Sequence, residues 1–170
     1  MKGSFSQSLR AFFSIQFTGE ILENLQASEA ILKAALNLDK AIENKDFQSV
    51  ISKFTNDCKI ELLGVKLAGK DGVKKWMEWQ FKHIEKVEFI PITKTISGNT
   101  FVEEFIAKAR LQGGEEIQSK QAVVLQFKDH LIKNLRLYFD RLDFADSVFR
   151  NVIGKTIVKE LIKKSTEGLT

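Results

Sequence analysis

Imidazole and thiol are almost absent from this 170-residue chain, where His83, His130 and Cys58 are the whole supply. One cysteine excludes an internal disulfide, and two histidines beside it assemble no metal-ligand set by spacing, so neither a metal nor another cofactor is expected. Charge of one sign is scarce too: 26 basic against 22 acidic residues leave a formal +4, interspersed rather than gathered in blocks. That balance calls for no nucleic-acid partner. No hydrophobic run approaches the ~20 residues of a transmembrane span. The apolar stretch from Ala11 to Phe17 follows Lys2 and Arg10, but it is short, is broken by Gln16 and lacks a small-residue cleavage site. It reads as structure rather than as a targeting signal. A reducing cytoplasm is the expected location.

What is present is enough apolar material for one core. Hydrophobic residues make up 44% of the chain, and nothing marks a linker between two folded units. The expectation is a single domain over 1–170, with a core at about 29–144 and helical extensions at 1–27 and 145–170. Phe5, Leu9, Phe12, Phe13, Phe17 and Ile21 recur at helical spacing. From Ser28, a plausible N-cap, to Asn44 the stripe Ile31, Leu32, Ala35, Leu36, Leu38, Ala41 and Ile42 predicts a further helix. Asp46 can cap a short helix carrying Phe47, Val50, Ile51 and Phe54, before Thr55-Asn56-Asp57 turns the chain. Cys58 to Val65 alternates as a strand does. Gly69-Lys70-Asp71-Gly72 opens a third helix with Val73, Trp76, Met77, Gln80, Phe81 and Ile84 on one side and Trp79 on another.

Four strands are predicted next, at about Val87–Ile96, Thr100–Leu111, Glu116–Lys128 and Leu131–Leu142. Ser97-Gly98-Asn99, Gln112-Gly113-Gly114 and Asp129-His130 lie between them as turns, which describes an antiparallel meander. Phe101, Glu103, Phe105, Ala107, Ala109 and Leu111 share one face; Ile117, Ser119, Gln121, Val123, Leu125 and Phe127 share another. These faces coincide only if the second turn has three residues, Gln112 to Gly114, which sets Phe105 opposite Gln121 and Glu103 opposite Val123. After Leu142 a basic amphipathic helix carries Val148, Phe149, Val152, Ile153, Ile157 and Leu161 on one stripe. Packing on its own domain or on a partner subunit is favoured for it over a membrane surface.

Helix, helix, strand, helix and a four-stranded meander resemble the nuclear-transport-factor-2-like superfamily, in its SnoaL-like and ketosteroid-isomerase-like branch. The resemblance is carried by Ala41-Ile42-Glu43-Asn44-Lys45-Asp46-Phe47, Phe54-Thr55-Asn56-Asp57-Cys58, Leu67-Ala68-Gly69-Lys70-Asp71-Gly72-Val73 and Leu135-Arg136-Leu137-Tyr138-Phe139-Asp140. It implies an α+β fold: a cone-shaped, curved antiparallel β-sheet wrapped around N-terminal helices, here with additional N- and C-terminal helices. It also implies an apolar cavity for a small hydrophobic molecule, and a homodimer through the outer face of the sheet. In this chain the lining would come from Leu38, Ile60, Leu62, Trp76, Phe101, Phe105, Gln121, Val123, Leu125, Leu135, Leu137 and Phe139. The plainer alternative is that these side chains only fill the core.

The family's catalytic positions are not matched. Where the ketosteroid-isomerase-like pattern places a carboxylate base, a tyrosine and a neutral carboxylic acid, this chain has Leu62, Leu38 and Val123. The last-strand aspartate of the epoxide-hydrolase-like set falls on Leu137, and no Arg-Asp pair lies on the inner face of Thr100–Leu111. Glu103 is the one catalytic candidate, since an inward carboxyl among phenylalanines would have a raised pKa. A bulge near Glu103-Glu104 would instead turn it outward. Gln121 could hydrogen-bond a ligand, and Trp76 or Trp79 could stack on one. His83 reads as a helix-terminus residue, Arg136, Tyr138 and Asp140 as outward-facing, and Cys58 as lacking an activating neighbour. Three functions therefore stand: a SnoaL-like domain binding a small hydrophobic ligand; an isomerase, cyclase or hydrolase using Glu103; and a dimerisation or protein-interaction module without ligand.

Overall fold

Apolar spacing and a few capping residues set the elements that the computed structural model shows; it describes residues 4–144, 152–165 and 167. Helix α1 runs unbroken over Ser4–Glu43, 40 residues. The predicted break at Ser28 is absent, because its hydroxyl donates back to the Asn24 carbonyl at 2.9 Å inside the helix rather than capping a new start. The expected boundary between extension and core thus falls within a continuous helix. The stripe from Phe5 to Ile21 lies on α1, its side chains outside the described set. Further along, Ile31, Ala35, Leu38, Ala41 and Ile42 form the buried stripe.

The end of α1 is held by a backbone motif. Lys45 adopts φ 53°, and the Asp46 N–H reaches back to the Ala41 carbonyl at 2.8 Å. This closes the helix as a Schellman motif, with a lysine where glycine is usual. Asp46 then caps α2 (Phe47–Ser52), its Oδ1 accepting from the Ser49 N–H at 3.0 Å.

Strand β1 (Phe54–Leu62) is followed by a two-residue turn and β2 (Val65–Ala68). The sequence reading joined these into one strand ending at Val65. Leu63 and Gly64 both have positive φ, 54° and 74°, so the pair makes a tight hairpin that a leucine at its first position hides from the eye. Helix α3 (Gly69–His83) buries Gly72, Val73, Trp76, Met77 and Gln80. Strands β3 (Ile84–Ser97), β4 (Thr100–Leu111), β5 (Glu116–Lys128) and β6 (Leu131–Phe139) follow, then a 3-10 turn at Arg141–Phe144 and helix α4 (Val152–Ser165). Val148 and Phe149 of the expected C-terminal stripe lie outside the described residues.

The sheet has the order β2-β1-β6-β5-β4-β3. It is curved, unclosed and mixed rather than purely antiparallel, because β1 pairs β6 in parallel, Ile60 with Leu135 and Leu62 with Leu137. The predicted meander register is present: Phe105 faces Gln121 and Glu103 faces Val123. Leu111 donates to the Glu115 carbonyl at 2.8 Å, leaving Gln112-Gly113-Gly114 as the loop.

One bulge decides what faces inward on β3. Pro91 pairs with Phe105 but Thr93 pairs with Glu104, so Ile92 is the extra residue in this edge strand, which also tolerates the proline. Before the bulge Val87 and Phe89 point to the core side; after it Lys94 and Ile96 take that side. Helix α1 is tied to the same strand, the Glu43 Oε1 accepting from the Phe89 N–H at 2.8 Å.

Candidate functional site

Between α1, α3 and the concave face of the sheet lies a cavity of about 100 Å³. Strands contribute through period-two alternation, and so Phe105, Ala107 and Ala109 of β4 stand beside Gln121, Val123 and Leu125 of β5. Leu62 of β1 and Leu135, Leu137 and Phe139 of β6 continue the wall. Helix α1 adds Leu38, Asp39 and Ile42; helix α3 adds Trp76, Trp79 and Gln80. Ile84, Val87 and Phe89 of β3, with Ile117 and Phe144, complete the lining. Aromatic rings meet edge to face around it, Phe89 on Phe105 at 5.4 Å and 86°, and Phe139 near Phe144 at 5.2 Å.

Most of the residues expected from the sequence to line a pocket are therefore brought together here: Leu38, Leu62, Trp76, Phe105, Gln121, Val123, Leu125, Leu135, Leu137 and Phe139. Two are not. Ile60 and Phe101 point to the same side of the sheet but lie one and two pleats away from the cavity, where they are fully buried in the solid core at 1% and 0% exposure.

Glu103 needs the same correction. It is buried at 3% exposure, so no bulge turns it outward. The bulge sits on the opposing strand at Ile92 and delivers Lys94 to it, Nζ 3.3 Å from Oε1. Glu103 is one pleat from Phe105, away from the cavity wall. Burial raises its pKa and Lys94 opposes that rise. It is a paired structural carboxylate, not a group in contact with the cavity.

The ionisable group on the lining is Asp39, which the sequence reading passed over. Burial, and then the neighbouring charge of Glu103, push its pKa up from 3.8 to about 7; Lys94 pulls it down and Glu43, one turn on, pushes it up. Among the described residues no hydrogen bond or ion pair holds its carboxyl. A signal was present in the sequence: Asp39 lies four residues after Ala35 and three before Ile42, on the buried flank of α1.

Two further polar groups converge on the cavity. Gln80 and Gln121 are 8% and 9% exposed, and neither side-chain amide is hydrogen-bonded to another described residue. Trp79, 45% exposed, stands at the mouth. Its carbonyl accepts from His83 Nδ1 at 2.7 Å, which puts a proton on that nitrogen and holds the two rings tilted at 37° with centroids 5.3 Å apart. His83 ends α3 as expected, while Arg136, Tyr138 and Asp140 are exposed. Cys58 is fully buried within β1, and burial pushes its thiol pKa up. Among the described residues no group of His, Cys, Asp or Glu could hold a metal ion. None of the described helices is long and apolar enough to cross a membrane.

A helix-filled, unclosed cone with its cavity against the concave face defines a class of small α+β domains. The chain has the nuclear-transport-factor-2-like fold. It is similar to an LEH-like epoxide hydrolase from M. tuberculosis, with 18% identity and a TM-score of 0.62 over 76% of this chain and 96% of that one. A protein from Shewanella denitrificans OS-217 described as a SnoaL-like polyketide cyclase is 15% identical, with a TM-score of 0.64 over 69% of this chain and 96% of that one. A protein of ketosteroid-isomerase-like fold from Catenulispora acidiphila, in complex with trimethylamine, is 14% identical, with a TM-score of 0.61 over 66% and 88%. No protein-family model and no curated protein matches the sequence.

Proposed function

We propose that this protein binds a small, mainly apolar molecule in the cavity between α1, α3 and the sheet. The observation that carries this reading is the lining itself: concave apolar walls with three polar side chains, Asp39, Gln80 and Gln121, that have no hydrogen-bond partner among the described residues. Among the described residues the fully buried side-chain atom with no partner is Thr55 Oγ1, so the Gln80 and Gln121 amides stay accessible from the cavity, where an occupant can pair with them. A site that keeps two such amides and a carboxyl is built to receive something. Size narrows the occupant. An apolar protein cavity of roughly 150 Å³ holds benzene, so about 100 Å³ suits a molecule of that order, or part of a larger one leaving past Trp79. The trimethylamine held by the Catenulispora acidiphila protein is of this size class.

The test is ligand-observed NMR with cyclopentanol, together with native mass spectrometry of the purified protein for a retained small molecule. Saturable cyclopentanol binding that disappears in Ala107→Phe, which fills the cavity, is the expected result. No binding by the wild type, and no retained mass, would overturn the reading. The same spectra report the homodimer that we propose through the outer sheet face, where Val102 and Tyr138 are 38% and 54% exposed.

A second reading is favoured by one observation. An acid–base enzyme on this scaffold would work through Asp39, whose pKa of about 7 suits proton exchange at neutral pH, and not through Glu103.

A further inference from the structure

Among the described residues lining the cavity, ionisable character belongs to one acid: Asp39 is there, and no lysine, arginine or histidine is. Its surroundings are acidic. Glu43 lies one turn on along α1, Glu103 faces it from β4, and Lys94 on β3 is already engaged by Glu103. Three carboxyl groups thus meet one ammonium, and the cavity end of the cluster carries the uncompensated acid. The remaining walls are π-faces and aliphatic groups, with Trp76, Trp79, Phe89, Phe105 and Phe139 among them. Rings of this kind attract organic cations. The open amides of Gln80 and Gln121 add carbonyl oxygens that can accept from an N–H.

We infer that the cavity selects a small aliphatic or cyclic amine, bound as its ammonium, with Asp39 as counter-ion and the aromatic walls around its hydrocarbon part. This inference rests on the cavity reading above and adds the chemical class of the occupant. No covalent bond changes. An amine of lysine-like basicity arrives protonated at neutral pH, and whatever proton Asp39 holds leaves to solvent as the ammonium takes its place. A neutral alcohol or ketone makes no use of the acidic surroundings. A carboxylate ligand is opposed by them.

The ammonium and the proton compete for the same carboxyl, which ties affinity to pH. With Asp39 near 7 in the empty cavity, affinity rises about tenfold per pH unit well below that value and flattens above about pH 8. Among the described residues the other ionisable groups facing Asp39 are those already named, Glu43, Glu103 and Lys94.

Cyclopentylamine and cyclopentanol, matched in size, serve as probes in titration calorimetry from pH 5 to 9 with wild type, Asp39→Asn and Glu103→Gln. Expected are tighter binding of the amine than of the alcohol at pH 8, proton release at pH 6, and at least a tenfold loss for the amine alone in D39N. E103Q, which keeps Asp39, retains the preference. If D39N weakens both probes alike, or the amine binds no better than the alcohol and without a pH slope, the inference fails while the cavity reading stands. If neither probe binds the wild type, both fall together. Circular dichroism of D39N confirms that it is folded, and the alcohol is its internal control for an intact cavity.

Discussion

Lys94 reaches Glu103 directly across the β3–β4 ladder, Nζ to Oε1 at 3.3 Å, and so supplies the cation that Asp39 lacks. The glutamate side chain is 4% exposed and the lysine 28%, so the pair is shielded on one side only. Two neighbouring acids with opposite fates follow from this single contact: one is fixed in the framework, the other stays open to the cavity.

Removing the lysine should expose that dependence. Lys94→Met leaves Glu103 buried and uncompensated, and is expected to lower stability by roughly 1–3 kcal/mol, below the full range for buried pairs because the lysine is partly exposed. Adding Glu103→Gln should recover much of the loss. Urea midpoints of the two single variants and the double variant measure it, and additive losses would rule the coupling out.

Asp39 should leave a signature in the pH dependence of stability. Its folded pKa of about 7 lies above the ordinary 3.8, so the folded state holds more protons than the unfolded chain between those values. Stability therefore falls as pH rises through about 4 to 7, by at most on the order of 4 kcal/mol, and the penalty is fully present above that window. D39N removes the penalty. Compared with wild type it should gain stability at pH 8 and little at pH 4, read from denaturant curves at both values.

The cavity amides should behave as features kept for something other than stability. Gln121→Leu replaces a largely buried amide, with no partner among the described residues, by an apolar group of similar size, and is expected to leave the protein as stable or raise it by about 1 kcal/mol. A thermal melt decides this. A loss of several kcal/mol would mean that Gln121 satisfies a partner in the fold.

Cys58 should be inert in the native state. Full burial and a raised thiol pKa both suppress the thiolate. Reaction with a disulfide reagent at pH 8 should be negligible until denaturant unfolds the chain. Prompt labelling of native protein would contradict the burial.

Much of this arrangement could be read from residue order. Period-two alternation and the Gln112-Gly113-Gly114 loop set the register that puts Phe105 against Gln121, and Asp46 announced α2 by its capping chemistry. Three things escaped. The tight turn at Leu63-Gly64 carries no usual turn signature at its first position. The parallel β1–β6 pairing joins segments far apart in the chain, and local pattern says nothing of such pairing. The ion-pair partner of Glu103 escaped because the extra residue at Ile92, which brings Lys94 to it, lies on another strand where alternation reads as unbroken, and Asp39 sat unremarked on α1.

That extra residue has a consequence reaching beyond strand geometry. Were β3 paired without the bulge, Ile92 on Glu104 and Thr93 on Glu103, even alternation would swing Lys94 to solvent and present Thr93 and Thr95 inward instead. No charged residue would have been substituted, yet the interior would carry one positive charge fewer. In this fold the pairing register of an exposed edge strand can retune the acidity of a buried group as effectively as a mutation beside it.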